Sequence, residues 1–190
     1  MVATGARPAE PFAAAVLCGG SSRRMGRDKA FVAVDGEPMV RRIIRALRRA
    51  GADPVLTIGG DGAALASEGA NGHLADRHPG EGPLGGVLMA LDALDRIVVV
   101  VACDMPDLDA KAVRSLVDAL RDDPTAAVAT AEPLLAAWRP GLARHTVHDA
   151  FAEGRRAVHE AIALLPHVPV AVDPAVLRNV NRPDDIGSPP

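Results

Sequence analysis

The 190-residue chain has no tyrosine, one tryptophan and three phenylalanines. With aromatics at 2%, its core has to be aliphatic, and the aromatic platforms on which nucleic-acid bases stack are missing. There are two cysteines, Cys18 and Cys103, spaced for neither a metal site nor a disulfide framework, which favours a reducing, cytoplasmic setting. No apolar run is long enough to cross a bilayer; the longest, Ile97–Cys103 and the equally long Phe12–Cys18, have seven residues each. Positive charge is not in excess either. Lys and Arg number 21 against 24 Asp and Glu, a net charge of −3, so no global basic field would hold a nucleic acid. Neither nucleic acid nor membrane is expected as a partner. Lysine itself is scarce: of the 21 basic residues only Lys29 and Lys111 are not Arg.

Apolar residues at 48% and charged residues at 24% are ordinary for a globular protein, and a chain of this length hides roughly 70% of its unfolded surface on folding. Residues 1–12 carry Arg7 and Glu10 without an apolar stretch, which reads as a disordered extension and not as a signal peptide. Residues 13–186 are expected to form one domain.

Within that domain short apolar runs alternate with amphipathic stretches. Ala13–Leu17, Pro54–Ile58, Arg96–Ala102 and Ala126–Thr130 read as buried strands, His73–Ala75 as a very short one, and Leu134–Trp138 as a weaker candidate. Val40, Ile43, Ile44, Leu47 and Ala50 have helical spacing, so Pro38–Ala50 is a helix with Gly51 just past its end. Leu84–Leu94, Asp109–Arg121, Gly141–Glu153 and Arg156–Leu165 are further helices, followed by a strand at Val168–Val172 and a loop at Asn179–Asp185. Strands separated by helices argue for an α/β protein: three layers, α/β/α, around a mostly parallel, Rossmann-like sheet.

Four segments carry chemistry. The first, Leu17-Cys18-Gly19-Gly20-Ser21-Ser22-Arg23-Arg24-Met25-Gly26-Arg27-Asp28-Lys29, leaves a buried strand directly. Its glycines and serines let the backbone turn and present N–H groups to an anion. Arg23, Arg24, Arg27 and Lys29 against Asp28 give this loop a positive balance in a negative chain, a repulsion that a phosphate chain would relieve. The loop has neither the spacing of a P-loop nor a G-x-G-x-x-G, which disfavours an ordinary P-loop ATPase and a nicotinamide dehydrogenase. The second segment places Asp104 at the exit of the strand Val98–Ala102. A carboxylate there is costly unless paired or bound to metal, and Mg²⁺ suits it, although capping the next turn would also account for it. The third, His73-Leu74-Ala75-Asp76 and Gly82-Pro83-Leu84-Gly85-Gly86, puts glycine backbone before a helix. The fourth, Asn179-Val180-Asn181, aims two amides the same way if it is extended, or starts a helix with Asx turns. His145 and His148, with no third ligand nearby, read as surface residues. Arg41, Arg42, Arg45, Arg48 and Arg49 read as complementing a helix dipole.

The stretch Leu17–Lys29, followed by Val34-Asp35-Gly36-Glu37-Pro38-Met39, resembles the signature of nucleotidyltransferases with a glycosyltransferase-A-like fold. Within that group it is most similar to the molybdenum cofactor guanylyltransferases, whose order of motifs the chain follows from about residue 13 to 185. Gly19-Gly20 carries the likeness to the guanylyl branch, since the related cytidylyl enzymes typically have Ala-Gly. The resemblance implies transfer of GMP from GTP to molybdopterin with Mg²⁺, releasing pyrophosphate. It implies catalytic roles for Arg24, Lys29 and Asp104, with Asp104 on the metal and backbone at Leu17, Cys18, Gly19 and Gly20 around the phosphates. Asp76, Gly82, Pro83 and Leu84 would meet the nucleotide, Asn179 and Asn181 the acceptor side, and Arg155-Arg156 the pterin phosphate. Transient contact with other molybdenum cofactor proteins would follow. Cys18 stands where the family usually has Ala, Gly59-Gly60 where it often has Asn, and Glu132 where it more usually has Gln. A relative using CTP or a sugar-phosphate acceptor, or a non-catalytic GTP-binding module on the same fold, is the alternative.

Overall fold

A computed structural model describes residues 10–19, 29–181 and 185. The chain enters the sheet through β1 (Phe12–Leu17), makes a small antiparallel hairpin of β2 (Ala33–Val34) and β3 (Glu37–Pro38), and runs into helix α1 (Met39–Ala50). It continues through β4 (Ala52–Ile58), the short α2 (Gly62–Leu65), β5 (Gly72–Leu74), α3 (Pro83–Ala93), β6 (Ile97–Ala102) and α4 (Ala110–Ala119). Then come β7 (Ala126–Ala129), β8 (Glu132–Trp138), α5 (Pro140–Ala152), α6 (Val158–Ile162) and β9 (His167–Val170). Seven strands form one sheet in the order β5-β4-β1-β6-β8-β7-β9. All pairings in it are parallel except those of β8 with β6 and β7.

The two central strands are apolar because both faces are covered. Ala14, Val16, Val99 and Val101 face one layer with Val40, Ile43 and Leu47 of α1 and Val113 and Leu116 of α4. Ala13, Ala15, Val98 and Val100 face the other, with Val87 and Leu91 of α3, Val147 of α5 and Val158 of α6. This is the expected three-layer α/β/α arrangement. Helix α1 is held mainly by its apolar face; Ile43, Ile44 and Leu47 are each buried, worth about 1.5–3 kcal/mol apiece. Gly51 ends it in the left-handed conformation, its N–H donating to the Arg48 and Leu47 carbonyls. Among the described residues no helix is long and apolar enough to cross a membrane.

The fold departs from the sequence reading at one strand and one helix. Leu134–Trp138, expected only as a weak strand, belongs to the seven-residue β8 in the middle of the sheet. Its polarity follows from chain length: only two residues separate β7 from β8, enough for a hairpin and too few for a parallel crossover. The helix expected over Arg156–Leu165 is confined to Val158–Ile162. The Glu160 carboxylate folds back to accept the N–H groups of Arg156 and Ala157, which fixes the start of the helix after them. Those two N–H bonds hold the Glu160 carboxyl below its ordinary range.

After β1 the chain turns to β4 on one side, and after α3 it returns to β6 on the other. The carboxyl ends of β1 and β6, at Leu17 and Ala102, therefore flank a reversal of strand order, where ligands of open α/β sheets bind.

Candidate functional site

Four strand exits, those of β5, β4, β1 and β6, are bound together by their backbones at this point. Cys18 N–H donates to the Ile58 carbonyl (2.8 Å), Cys103 N–H to that of Leu17 (3.1 Å), and Gly59 N–H to that of Leu74 (2.9 Å). Gly59 has φ +71°, and a Cβ on it would lie 2.9 Å from Gly19 Cα. The close approach of the two segments thus explains glycine where an Asn was to be expected; a side chain there would push against Gly19. Asp76 reaches the same spot: its Oδ2 lies 3.2 Å from where a Cβ on Gly19 would stand, and its Oδ1 accepts the N–H of His78 at 2.8 Å. The structure therefore brings Leu17, Cys18, Gly19 and Asp76 together. Gly82, Pro83 and Leu84 are held as one turn: Pro83 opens α3, Leu84 N–H donates to the Arg156 carbonyl (3.2 Å), and Gly82 has φ +84°.

The charged centre lies beside these glycines. Lys29 opens a short 3-10 turn, Lys29–Phe31, and its Nζ donates to Asp104 Oδ2 at 2.7 Å and to Asn181 Oδ1 at 2.5 Å. The Lys29 and Asp104 side chains are only 15% and 19% exposed. Asp104 Oδ1 is buried and has no hydrogen-bond partner among the described residues. An ionised oxygen left so is costly unless a cation takes it. The Asp104 carbonyl accepts the N–H of Val180 at 2.9 Å, and Val180 is buried with Val32, Val34 and Met39. That apolar clamp, made by the β2–β3 hairpin and the start of α1, holds the Asn179–Asn181 segment against the end of β6.

The two Asn residues flank the buried Val180 and meet different partners. Asn181 Oδ1 accepts from Lys29, and its N–H donates to Asp185 Oδ2 at 2.7 Å. Asn179 Nδ2 donates to Glu132 Oε2 at 2.9 Å. Behind them Arg178 donates to Asp107 at 2.6 Å, and Asp107 also faces Arg42 at 3.6 Å. The Asp107 hydrogen bond holds the Arg178 guanidinium above its ordinary range, outweighing partial burial.

Sequence reasoning noted Glu132 as a departure from the family pattern but did not place it beside Asn179, and it missed Asp107 altogether. Of the expected residues, Gly20 and Arg24 lie outside the described residues. Arg156 donates to Glu81 at 2.9 Å, and its guanidinium stands 4.2 Å from the centre of the Phe151 ring. Arg155 lies 3.6 Å from Glu153. His145 and His148 pair with Asp149 and Asp92 on the surface. The α1 arginines do more than answer the helix dipole: Arg41 binds Glu68, Arg45 binds Glu37, and Arg42 spans Asp35 and the Pro106 carbonyl. Only Arg48 and Arg49 sit in the last turn. Cys18 and Cys103 are both buried, and the Cys18 Sγ donates to the Val16 carbonyl at 3.6 Å.

This arrangement can hold a polyphosphate. It has backbone at a strand exit, a shielded ammonium, and one carboxylate with an oxygen to spare. Mg²⁺ is bound by one or two carboxylates together with substrate phosphate oxygens, so a hard-oxygen donor set of this size fits it.

The model of the MobA-like NTP transferase domain matches residues 14–168. A probable molybdenum cofactor guanylyltransferase of Opitutus terrae is 36% identical over 93% of this chain and 94% of its own length. One of Synechococcus elongatus is 34% identical over 92% and 95%. Among solved structures, molybdopterin-guanine dinucleotide biosynthesis protein A from Archaeoglobus fulgidus superposes with a TM-score of 0.76 at 24% identity, covering 91% of this chain and 94% of its own. A 2-C-methyl-D-erythritol 4-phosphate cytidylyltransferase from Thermus thermophilus shares the fold with a TM-score of 0.72 at 19% identity, covering 90% and 94%. Likeness over nearly the whole length of both partners establishes that the chain is a nucleotidyltransferase of the MobA-like family, the molybdenum cofactor guanylyltransferases.

Proposed function

We propose that this enzyme transfers GMP from GTP to molybdopterin. The terminal phosphate oxygen of the acceptor attacks the α-phosphorus in line, the new O–P bond forms as the bond from the α-phosphorus to the bridging oxygen breaks, and pyrophosphate leaves. The observation that carries the reading is the shielded Lys29–Asp104 pair with its buried, unpartnered Asp104 Oδ1 at the switch point of the sheet. Such a reaction needs positioning and charge neutralisation, not a protein nucleophile. Lys29 holds the triphosphate and, with Arg24 from the same loop, balances the charge that develops on the leaving group. The N–H groups of Gly19 and Gly20 cradle the phosphates, while Leu17 and Cys18, tied by their own backbone bonds to Cys103 and Ile58, anchor the start of that turn. Asp104 would hold Mg²⁺ through its spare oxygen. That ion, when bound, neutralises phosphate oxygens and polarises the reacting phosphorus. Asp76 and the turn Gly82-Pro83-Leu84 face the nucleoside, and Asn179 and Asn181 face the acceptor. The proposed setting is the cytoplasm, which the low cysteine count supports, with the product passed on by transient contact with other molybdenum cofactor proteins.

The test is pyrophosphate release with molybdopterin and Mg²⁺, comparing GTP, CTP and ATP. Turnover with GTP alone supports the reading. Preference for CTP or ATP, or turnover only with a sugar phosphate, overturns it.

A further inference from the structure

Glu132 is bound at both ends. Its Oε1 accepts the N–H of Leu134 at 3.0 Å and its Oε2 accepts Asn179 Nδ2 at 2.9 Å. A carboxylate only accepts, and a carboxamide has one donating and one accepting end. Facing Glu132, the Asn179 amide has a single favourable orientation, with the NH₂ inward and Oδ1 at the other end, where it has no partner among the described residues and is not enclosed. Asn181 is fixed the opposite way. Its Oδ1 is taken by the Lys29 ammonium, which leaves Nδ2 as its outward group. Two amides of identical chemistry thus present opposite polarities: an acceptor at 179, and a donor at 181 beside the phosphate-holding lysine.

We propose that Glu132 is a specificity-determining positioning residue. By locking the Asn179 amide, it makes that position accept a hydrogen bond from an N–H or O–H group of the acceptor substrate and reject an anionic or carbonyl oxygen. The proposal rests on the reading of Asn179 as facing the acceptor. Its chemistry is specific to a carboxylate at 132. In Glu132→Gln the Leu134 N–H still demands an oxygen, so the new amide turns its NH₂ toward Asn179. Asn179 must then flip and offer its own NH₂ to the substrate. The change is nearly isosteric and leaves the fold alone, but it inverts the polarity the substrate meets.

Three variants test this. Glu132→Gln should raise the KM for molybdopterin about tenfold, the worth of one misdirected hydrogen bond, with kcat and the KM for GTP unchanged. Asn179→Asp, which sets two carboxylates face to face, should be worse. The double variant Glu132→Gln/Asn179→Asp should recover most of the loss: the new amide at 132 donates to one oxygen of the new carboxylate and leaves the other accepting toward the substrate, with net charge unchanged. A purely structural role for Glu132 would give no such reciprocal rescue. Independently of turnover, the Asn179 side-chain NH₂ signals of ¹⁵N-asparagine-labelled protein should be protected from exchange in the wild type and lose that protection in Glu132→Gln. An unchanged molybdopterin KM, a rise in the GTP KM instead, absence of rescue, or unchanged NH₂ signals would each overturn the proposal. If the wild type releases no pyrophosphate from GTP and molybdopterin, the functional reading falls and takes the proposal with it, even where the NH₂ signals behave as expected.

Discussion

The two flanks of the site are built from different materials. On the flank of β1, β4 and β5, backbone does the work: Cys18 and Gly59 continue the strand ladder past its end, and Gly19 and Gly59 pack without side chains between them. On the flank of β6, β8 and the Asn179–Asn181 segment, side chains do it: Lys29, Asp104, Asn181, Asn179 and Glu132 bond one to the next. On the proposed function, a flank built of backbone meets what all nucleoside triphosphates share. A chain of oriented side chains can discriminate, and it fails in steps when one member changes.

The contrast can be broken most severely at Asp104. Asp104→Ala should lower turnover about a hundredfold or more, since metal-assisted charge neutralisation is lost. Its fold should persist because it is the Asp104 carbonyl, not the carboxylate, that holds Val180. Circular dichroism beside a pyrophosphate assay checks both halves. Near-full turnover at limiting Mg²⁺ would move the metal elsewhere.

Lys29 comes next. In a chain with only two lysines, position 29 takes a compact point charge that bonds Asp104 and Asn181 within a shielded spot. The planar fork of Arg should misfit there, so Lys29→Arg should lose about tenfold in rate while keeping its charge. Lys111→Arg, on the exposed side of α4, should change nothing. Equal rates for both variants and the wild type would reduce Lys29 to bulk charge.

On the backbone flank the expected effect is on stability. Gly59→Ala forces a side chain into a left-handed conformation and to within 2.9 Å of Gly19 Cα, and should cost about 1–3 kcal/mol by denaturant unfolding. Gly69→Ala has a similar backbone (φ +95°) with nothing within 4 Å, and should cost less. Equal losses would mean that the close approach to Gly19 carries no weight.

The smallest effect lies outside both flanks, where Asp92 pins α3 to α5 through His148 at 3.0 Å and meets Arg77 at 3.2 Å. Burial pulls its pKa up, but the hydrogen bonds and charges of His148 and Arg77 outweigh that and hold it below the ordinary 3.8. A depressed carboxyl pKa stabilises the fold above its unfolded value, and that share is lost as pH falls through the folded one. The Tm difference between wild type and Asp92→Asn should therefore be present at pH 7 and shrink below pH 4. A difference independent of pH would place the effect in packing.

How much of this was legible in the sequence follows the same divide. Ala13–Leu17 and Arg96–Ala102 announce themselves as doubly covered strands, and Gly19, Lys29 and Asp104 follow or flank strand exits, so local pattern sufficed. Gly59 was visible as a departure, but its reason, the backbone of Gly19, is remote in sequence. Position and polarity of β8 depend on which strand the β7 hairpin lays beside β6, which no local periodicity reports. Glu132 and Asn179 are joined only by that placement, so their lock could not be read from spacing. The Arg156–Leu165 stretch had helical periodicity, and the Glu160 carboxylate overrode it by binding the two N–H groups ahead of α6.

The central claim is that the Lys29–Asp104–Asn181 cluster is where triphosphate and metal meet the acceptor. The most direct measurement is calorimetric titration of GTP into wild type, Asp104→Ala and Lys29→Arg, each with and without Mg²⁺. Tight, Mg²⁺-dependent binding of GTP to the wild type is expected. The Mg²⁺ dependence should vanish in Asp104→Ala, and Lys29→Arg should bind more weakly with the dependence intact. Wild-type binding indifferent to Mg²⁺, or an Asp104→Ala variant that keeps the full Mg²⁺ enhancement, would contradict the account.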